Sequence, residues 1–202
     1  MRTLTVWHME QIPWWIFAAY WAITWLWVKP VKEREKSRDR LITLVVGGFA
    51  FALLFGNWTL IGPLRQRFLP QASWIAWSGI ALTWVGIAIA IWARYCLGEY
   101  WSARVTLKEG HQLIRSGPYR WVRHPIYSGM LLGCMGAALV VGEWRGVVAV
   151  VLILAAHSRK ALREESLLTK EFGEEYLAYR RSTGFLLPRW RSIGIDTGGA
   201  GS

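Results

Sequence analysis

Five apolar runs, separated by charged or turn-forming segments, most constrain the fold of this chain. They cover residues 12–28, 41–61, 69–93, 125–142 and 146–158, and none contains a charged residue. A run of about 20 apolar residues can cross a bilayer as an α-helix, because all its backbone groups are then hydrogen-bonded internally. We therefore predict an all-α membrane bundle of five transmembrane helices in one domain at 1–188, followed by a flexible tail at 189–202.

The composition agrees with a membrane protein. Hydrophobic residues make up 53% of the chain, and many of its 15 Trp lie near the ends of apolar runs, as in an interfacial belt. Cys96 and Cys134 form no disulfide framework and no metal-ligand spacing. The net charge of +11 does not indicate a nucleic-acid partner, because the basic residues form blocks between apolar runs instead of one basic face.

The distribution of basic residues predicts the membrane topology. Twenty of the 24 Lys and Arg residues fall in three segments, 29–40, 94–125 and the tail from 157. The positive-inside rule places these segments in the cytoplasm and the amino terminus outside. The polar stretch at 94–125 and the C-terminal region should therefore meet on one side of the membrane and form a cytoplasmic pocket.

Local signals predict details of the helices. Pro13 suits the first turn of a helix, and Gly129 with Gly133 forms a GxxxG pattern typical of close helix packing. The last two runs should form a helical hairpin whose second arm continues toward Glu164. Residues 164–181 then predict an amphipathic surface helix, which Gly and Pro residues end.

The sharpest polar feature is His124-Pro125, at the end of the stretch 104–127. Proline at the first position of a helix leaves first-turn N–H groups directed outward, and such an end attracts carboxylates and phosphates. Tyr127 lies on roughly the same face as His124. These residues could hold an anionic ligand, or His124 and Arg123 could contact lipid phosphates at the headgroup level.

A second group of charged residues follows the fifth run. Lys160 and Glu164 lie four apart on one helical face, and Arg159 and Arg163 repeat that spacing beside them. Such a group is either an ordinary solvated ion-pair face or part of a site shared with the polar stretch. The sequence has no P-loop, no HExxH and no GxGxxG, so we expect no metal site and no Rossmann-type cofactor domain.

Two motifs together resemble a known family. HQLIRSGPYRWVRHPIYSG, followed by REESLLTKEFGEEYLAYRRSTGFLLP, is similar to the isoprenylcysteine carboxyl methyltransferases. These are integral-membrane methyltransferases related to phospholipid N-methyltransferases. The resemblance covers about residues 100–188, and the first three runs match in hydrophobicity alone.

The resemblance implies a membrane methyltransferase that uses S-adenosyl-L-methionine, bound by the 94–125 loop and the ends of the last helices. Carried over by position, the cofactor-binding residues are Arg104, His111, Gln112, Leu113, Ile114, Tyr119, His124, Pro125, Ile126, Tyr127 and Glu164. No catalytic acid or base is implied if the acceptor is already ionised, and His124 and Tyr127 would position the reactants. For a neutral amine or thiol acceptor, they would be the candidate bases.

The family places an Arg that binds the acceptor carboxylate where this chain has Lys160, with Arg159 and Arg163 beside it. Lysine keeps the charge but lacks the bidentate fork of arginine. The favoured acceptor is an isoprenylcysteine-type carboxylate entering from the lipid bilayer. The alternatives are a phospholipid amine or small thiol, an NADPH-dependent sterol-type reductase, and a lipid-binding helical protein without enzymatic activity.

Overall fold

The structure is a computed structural model that describes residues 4–25, 37–56, 62–98 and 113–189. Helices form most of this part of the chain, and no strand occurs in it. The prediction of an all-α fold is therefore confirmed. The α-helices are α1 Leu4–Trp25, α2 Ser37–Phe55, α3 Ser73–Leu97, α4 Pro125–Val141, α5 Trp144–Phe172 and α6 Glu174–Ser182, with 3₁₀ turns at Gly62–Arg65 and Gly117–Arg120.

The helix α3 is long and apolar enough to cross a membrane, with 25 residues and a mean hydropathy of 1.8 over its most apolar window. It is the one such helix within the described ranges, and Leu41–Phe55 and Pro125–Val141 are shorter apolar helices. The five crossings, their orientation and the cytoplasmic location of the polar segments stay predictions.

Two of the predicted helix boundaries are wrong. The first helix begins at Leu4 and contains Pro13 in its interior, so this proline does not start it. Glu10, one turn before the proline, is buried against Thr83 of α3, and this packing keeps the preceding segment helical. The predicted surface helix at 164–181 is also interrupted, because Gly173 has a φ of +50° and separates α5 from α6.

The closest helix contact joins α3 to α4 through glycines. A Cβ atom built at Gly86 would lie 2.5 Å from the carbonyl oxygen of Gly129 and nearer still to the amide nitrogen of Gly133. A Cβ at Gly79 would lie 2.7 Å from the carbonyl oxygen of Gly136. The small-residue pattern predicted on α4 is thus confirmed, and α3 carries a matching pattern that lets the two backbones touch.

Arginine side chains cap the carboxyl ends of three helices. These ends leave carbonyl groups without partners inside the helix, and a cation there also interacts favourably with the helix dipole. The contacts are Arg94 Nη2 to Thr24 O (3.1 Å) in α1, Arg145 Nη1 to Leu53 O (2.7 Å) in α2, and Arg67 Nη1 to Val141 O (2.8 Å) in α4. The caps link helices that are distant in sequence.

As predicted, α4 and α5 form a hairpin, and its second arm continues well beyond the fifth apolar run to Phe172. Gly142 ends α4 with a φ of +62°, and Glu143 precedes the first residue of α5. Because α5 is 29 residues long, its last third extends past the start of α4. That extension carries Glu164 and Glu165 of the candidate site.

We predict that Gly86→Ala lowers the stability of the bundle by about 2 kcal/mol, because the added methyl group meets backbone atoms that cannot move aside easily. Thermal unfolding of the detergent-solubilised protein measures the effect. Gly47→Ala is the matched control, since nothing lies within 4 Å of a Cβ at that helical position. Equal stability of the two variants would contradict the close contact of α3 with α4.

Candidate active site

The start of α4 is held by the segment that follows α6. Residues 121–124 run parallel to residues 184–186, with Arg123 N donating to Gly184 O (2.9 Å) and His124 N to Phe185 O (3.3 Å). Ser128 Oγ donates to Leu186 O at 2.5 Å. The two motifs, some sixty residues apart in sequence, therefore form one continuous surface at one end of the bundle.

A buried carboxylate, Glu165, lies under this surface and is 4% exposed. Arg123 Nε donates to its Oε1 at 2.7 Å, and His124 Nε2 lies 3.2 Å from the same oxygen. Arg123 also donates to the carbonyl oxygen of Thr183 at 2.5 Å, just beyond α6. In the structure, Arg123 and His124 thus contact Glu165 instead of facing outward toward lipid phosphates.

The neighbouring carboxylate, Glu164, has a different environment. Tyr127 Oη donates to its Oε1 at 2.5 Å, and His124 Nδ1 lies 3.6 Å from its Oε2. The Glu164 side chain is 23% exposed, against 5% for Glu165. Glu164 is therefore the carboxylate of the pair that a ligand can reach, while Glu165 holds the surrounding segments together.

The charges of this cluster support one another. Burial raises the pKa of Glu165, but the hydrogen bonds from His124 and Arg123 outweigh it, and the net pKa is below the ordinary value. The pKa of Glu164 is likewise lowered despite its burial, through His124, Lys160 and Tyr127. Burial lowers the pKa of His124, yet its two carboxylate neighbours raise it above the ordinary value overall. All three shifts therefore favour the charged forms, two carboxylates and a protonated His124.

Three aromatic rings from α4 and α5 lie in a row beside Glu164. The rings of His124 and Tyr127 are stacked with centroids 5.7 Å apart, and those of Tyr127 and His157 are stacked at 5.0 Å. Lys160 Nζ lies 5.6 Å from the centroid of the Tyr127 ring, within range of a cation–π contact. Tyr127 is thus the centre of a group that joins both helices.

The remaining predicted residues fall into three groups. Ile114, Tyr119, Ile126 and Tyr127 belong to one apolar cluster around Ala93, and Pro125 is buried beside it. Leu113 and Arg163 are half-buried, and Arg159 is exposed. Arg104, His111 and Gln112 lie outside the described residues.

Three contributors were missed by sequence reasoning: Glu165, Arg123 as its partner, and Tyr179, whose hydroxyl donates to Tyr119 O at 2.7 Å. The Glu164-Glu165 pair was a usable signal, because adjacent helical residues point about 100° apart and only one of them can lie on a given face.

We predict a distinct pH dependence for the Arg123–His124–Glu165 cluster. The raised pKa of His124 contributes stability that is complete below about pH 6.5 and is lost as pH rises through the folded-state pKa. The lowered pKa of Glu165 contributes stability present above about pH 4.5 and lost as pH falls further. Glu165→Gln should cost about 3–5 kcal/mol at pH 6 and flatten the decline above pH 6.5, as measured by thermal unfolding across pH.

Glu175→Gln is the control, because Glu175 pairs with Arg115 at 2.8 Å on the exposed surface. An exposed pair contributes only about 0–1 kcal/mol. A Glu165→Gln variant as stable as this control, with the pH profile of the unmodified protein, would contradict the role given to Glu165.

The chain is similar to several known proteins. It is 27% identical over 131 residues to the mouse protein-S-isoprenylcysteine O-methyltransferase, which covers 63% of this chain and 46% of the mouse protein. It is 30% identical over 123 residues to a probable protein-S-isoprenylcysteine O-methyltransferase of Oryza sativa subsp. indica, covering 59% of this chain and 64% of that protein. An uncharacterized protein of Bacillus subtilis is 37% identical over 75 residues, which are 37% of this chain and 44% of the relative.

These alignments span from 44% to 64% of the length of the relatives. A family model described as phospholipid methyltransferase matches residues 74–175, which is half of the chain. The matched region includes α3, α4, α5 and the polar segment between α3 and α4. The protein therefore belongs to the phospholipid methyltransferase family, which agrees with the isoprenylcysteine O-methyltransferase names of its relatives.

Proposed function

We propose that the protein is a membrane methyltransferase that moves a methyl group from S-adenosyl-L-methionine to a lipophilic acceptor, with an isoprenylcysteine-type carboxylate as the acceptor class. The observation that carries the proposal is the contact of Tyr127 and His124 with Glu164. It joins the two motifs that resemble methyltransferases into one site. The names of the relatives add the acceptor class, since they act on isoprenylcysteine and methylate oxygen.

The described residues fit such a cofactor. Glu164 offers a partly exposed carboxylate with a lowered pKa, which suits an ammonium group or ribose hydroxyls. Ile114 and Tyr127 are partly buried members of the apolar cluster around Ala93, and Tyr127 joins that cluster to Glu164. The first-turn N–H groups of α4, which follow Pro125, suit a carboxylate. An amino acid joined to a nucleoside presents these same groups.

The bound cofactor would supply an electrophilic methyl group on a sulfonium. The protein then has to align the reactants and exclude water, because displacement at a methyl group depends on geometry, and an ionised acceptor needs no base. Well-oriented reactants can lower a barrier by about 7–11 kcal/mol at best. The stack of His124, Tyr127 and His157 holds the start of α4 against α5 and keeps Tyr127 Oη on Glu164.

The ring contacts of His124 support a positioning role for this residue. One ring nitrogen lies near Glu165 and the other near Glu164, so neither is directed to an acceptor. Tyr127 Oη in turn donates to Glu164. Both side chains are therefore assigned to positioning, and proton removal from the acceptor is not required of them.

A lipophilic acceptor would reach the site from the bilayer. Leu154 of α5 is 40% exposed and lies one turn before His157 on the same face of the helix, and Lys160 lies one turn further. An apolar chain lying along this face would place its polar end near Lys160. We propose the orientation that the basic residues predict, with the amino terminus outside and this site on the cytoplasmic side.

We predict that S-adenosylhomocysteine binds the detergent-purified protein and that Glu164→Gln weakens binding about 10- to 100-fold, the range expected when a hydrogen bond to a charged group is lost. Isothermal titration calorimetry at moderate salt measures both. Glutamine keeps the shape of the side chain and can still accept the Tyr127 hydroxyl, so the fold should survive.

Glu174→Gln is the control, since its carboxylate is 84% exposed on α6 and should leave binding unchanged. Binding of NADPH without S-adenosylhomocysteine would replace the proposal with a reductase. Binding of neither, combined with salt-sensitive binding to anionic vesicles, would replace it with a lipid-binding protein. Methyl transfer to a farnesylated cysteine, compared with phosphatidylethanolamine, identifies the acceptor class.

A further inference from the structure

His157 differs from the other histidine of the site. It lies on α5, and its ring is half-buried against Tyr127. Its Nδ1 is buried and has no hydrogen-bond partner among the residues that the structure describes. Buried polar atoms are nearly always paired in folded proteins, so an orphaned ring nitrogen beside a ligand site indicates a missing partner.

Lys160 follows His157 by three residues, so the two side chains lie on the same face of α5. Both contact the same ring: the His157 imidazole is stacked on Tyr127 at 5.0 Å, and Lys160 Nζ lies 5.6 Å from its centroid. Glu164 lies one turn further along α5 and accepts the Tyr127 hydroxyl. The imidazole and the ammonium are thus neighbours immediately beside the proposed cofactor site.

The chemistry of this pair suits a carboxylate. A carboxylate has two oxygens, and arginine binds both through parallel N–H groups, whereas a lysine ammonium acts as a point charge. A neutral imidazole adds one N–H donor. Lysine and histidine together therefore provide a positive charge and a second, directional donor, which one lysine cannot provide.

We propose that His157 is a specificity-determining residue that binds the acceptor carboxylate together with Lys160, the imidazole N–H donating to one oxygen and the ammonium to the other. This inference rests on the proposed function and names the groups that recognise the acceptor. The His157 imidazole and the Lys160 ammonium both contact the ring of Tyr127, which fixes their positions. No bond is made or broken by His157, whose role is to hold the ionised acceptor in line with the methyl group.

The first test compares two substitutions of His157. His157→Phe keeps a planar ring for stacking on Tyr127 but removes both ring nitrogens, and we expect the KM for a farnesylated cysteine to rise about 10-fold with a smaller change in kcat. His157→Asn places an amide near the position of Nδ1 and should recover part of the loss. Calorimetric binding of S-adenosylhomocysteine should be the same in His157→Phe, which keeps the ring stacked on Tyr127, as in the unmodified protein.

The second test restores two hydrogen-bond donors for the carboxylate by changing Lys160 instead of His157. In the His157→Phe background, Lys160→Arg supplies both donors from one side chain, and we expect the KM to return to within about 3-fold of the original value. A purely structural role of His157 predicts no such rescue, because the arginine cannot replace its packing. Lys160→Met should raise the KM in either background.

The outcomes separate this inference from the proposed function. If the unmodified protein binds S-adenosylhomocysteine and methylates the farnesylated cysteine, while His157→Phe leaves the KM unchanged, the inference alone is overturned. The same holds if Lys160→Arg fails to rescue the His157→Phe variant. If only amine acceptors are methylated, the acceptor class of the proposed function fails together with this inference. If the unmodified protein neither binds the cofactor product nor transfers a methyl group, the proposed function itself fails.

Discussion

The site depends on the pairing of one buried carboxylate, that of Glu165, with its hydrogen-bonding partners. A charge with so little access to water is stable only when it is paired and hydrogen-bonded. Its partners come from different parts of the chain: Arg123 and His124 precede α4, and Arg180 Nε on α6 lies 3.5 Å from Oε2. Satisfying this one charge therefore brings α4, α5 and α6 together at one end of the bundle.

The two adjacent glutamates of the site have different environments. Glu165 faces the junction of the three helices, and Glu164, rotated by about 100° on the same helix, faces Tyr127 and the more open side. The two histidines of the site also differ in their contacts. His124 lies between the two carboxylates, while Nδ1 of His157, near Lys160, has no hydrogen-bond partner in the part of the chain that the structure describes. The contacts of Glu165 thus hold together the segments that carry Glu164, Tyr127 and His157.

Sequence reasoning succeeded where the signal was local. The apolar runs predict an all-helical protein, the glycines of α4 predict close packing, and the two motifs identify His124, Tyr127 and Glu164, which the structure brings together. It failed at two positions, one where a distant contact accompanies the departure and one where a glycine interrupts a periodic pattern. Pro13 lies inside α1 because neighbouring Glu10 is buried against α3, and Gly173 breaks a helix that its amphipathic pattern describes as continuous.

The sequence by itself determined the helical class, the family and the chemical character of the polar segments, because apolar length, charge and motif spacing are properties of short stretches. Only the tertiary structure decided which glutamate is buried and that Arg123 donates a hydrogen bond to it. It also decided that His157 and Lys160 both contact the Tyr127 ring. These choices follow from the rotation of α5 against α4 and from the return of residues 184–186 to the start of α4. Both result from packing between segments far apart in the chain, which no local pattern contains.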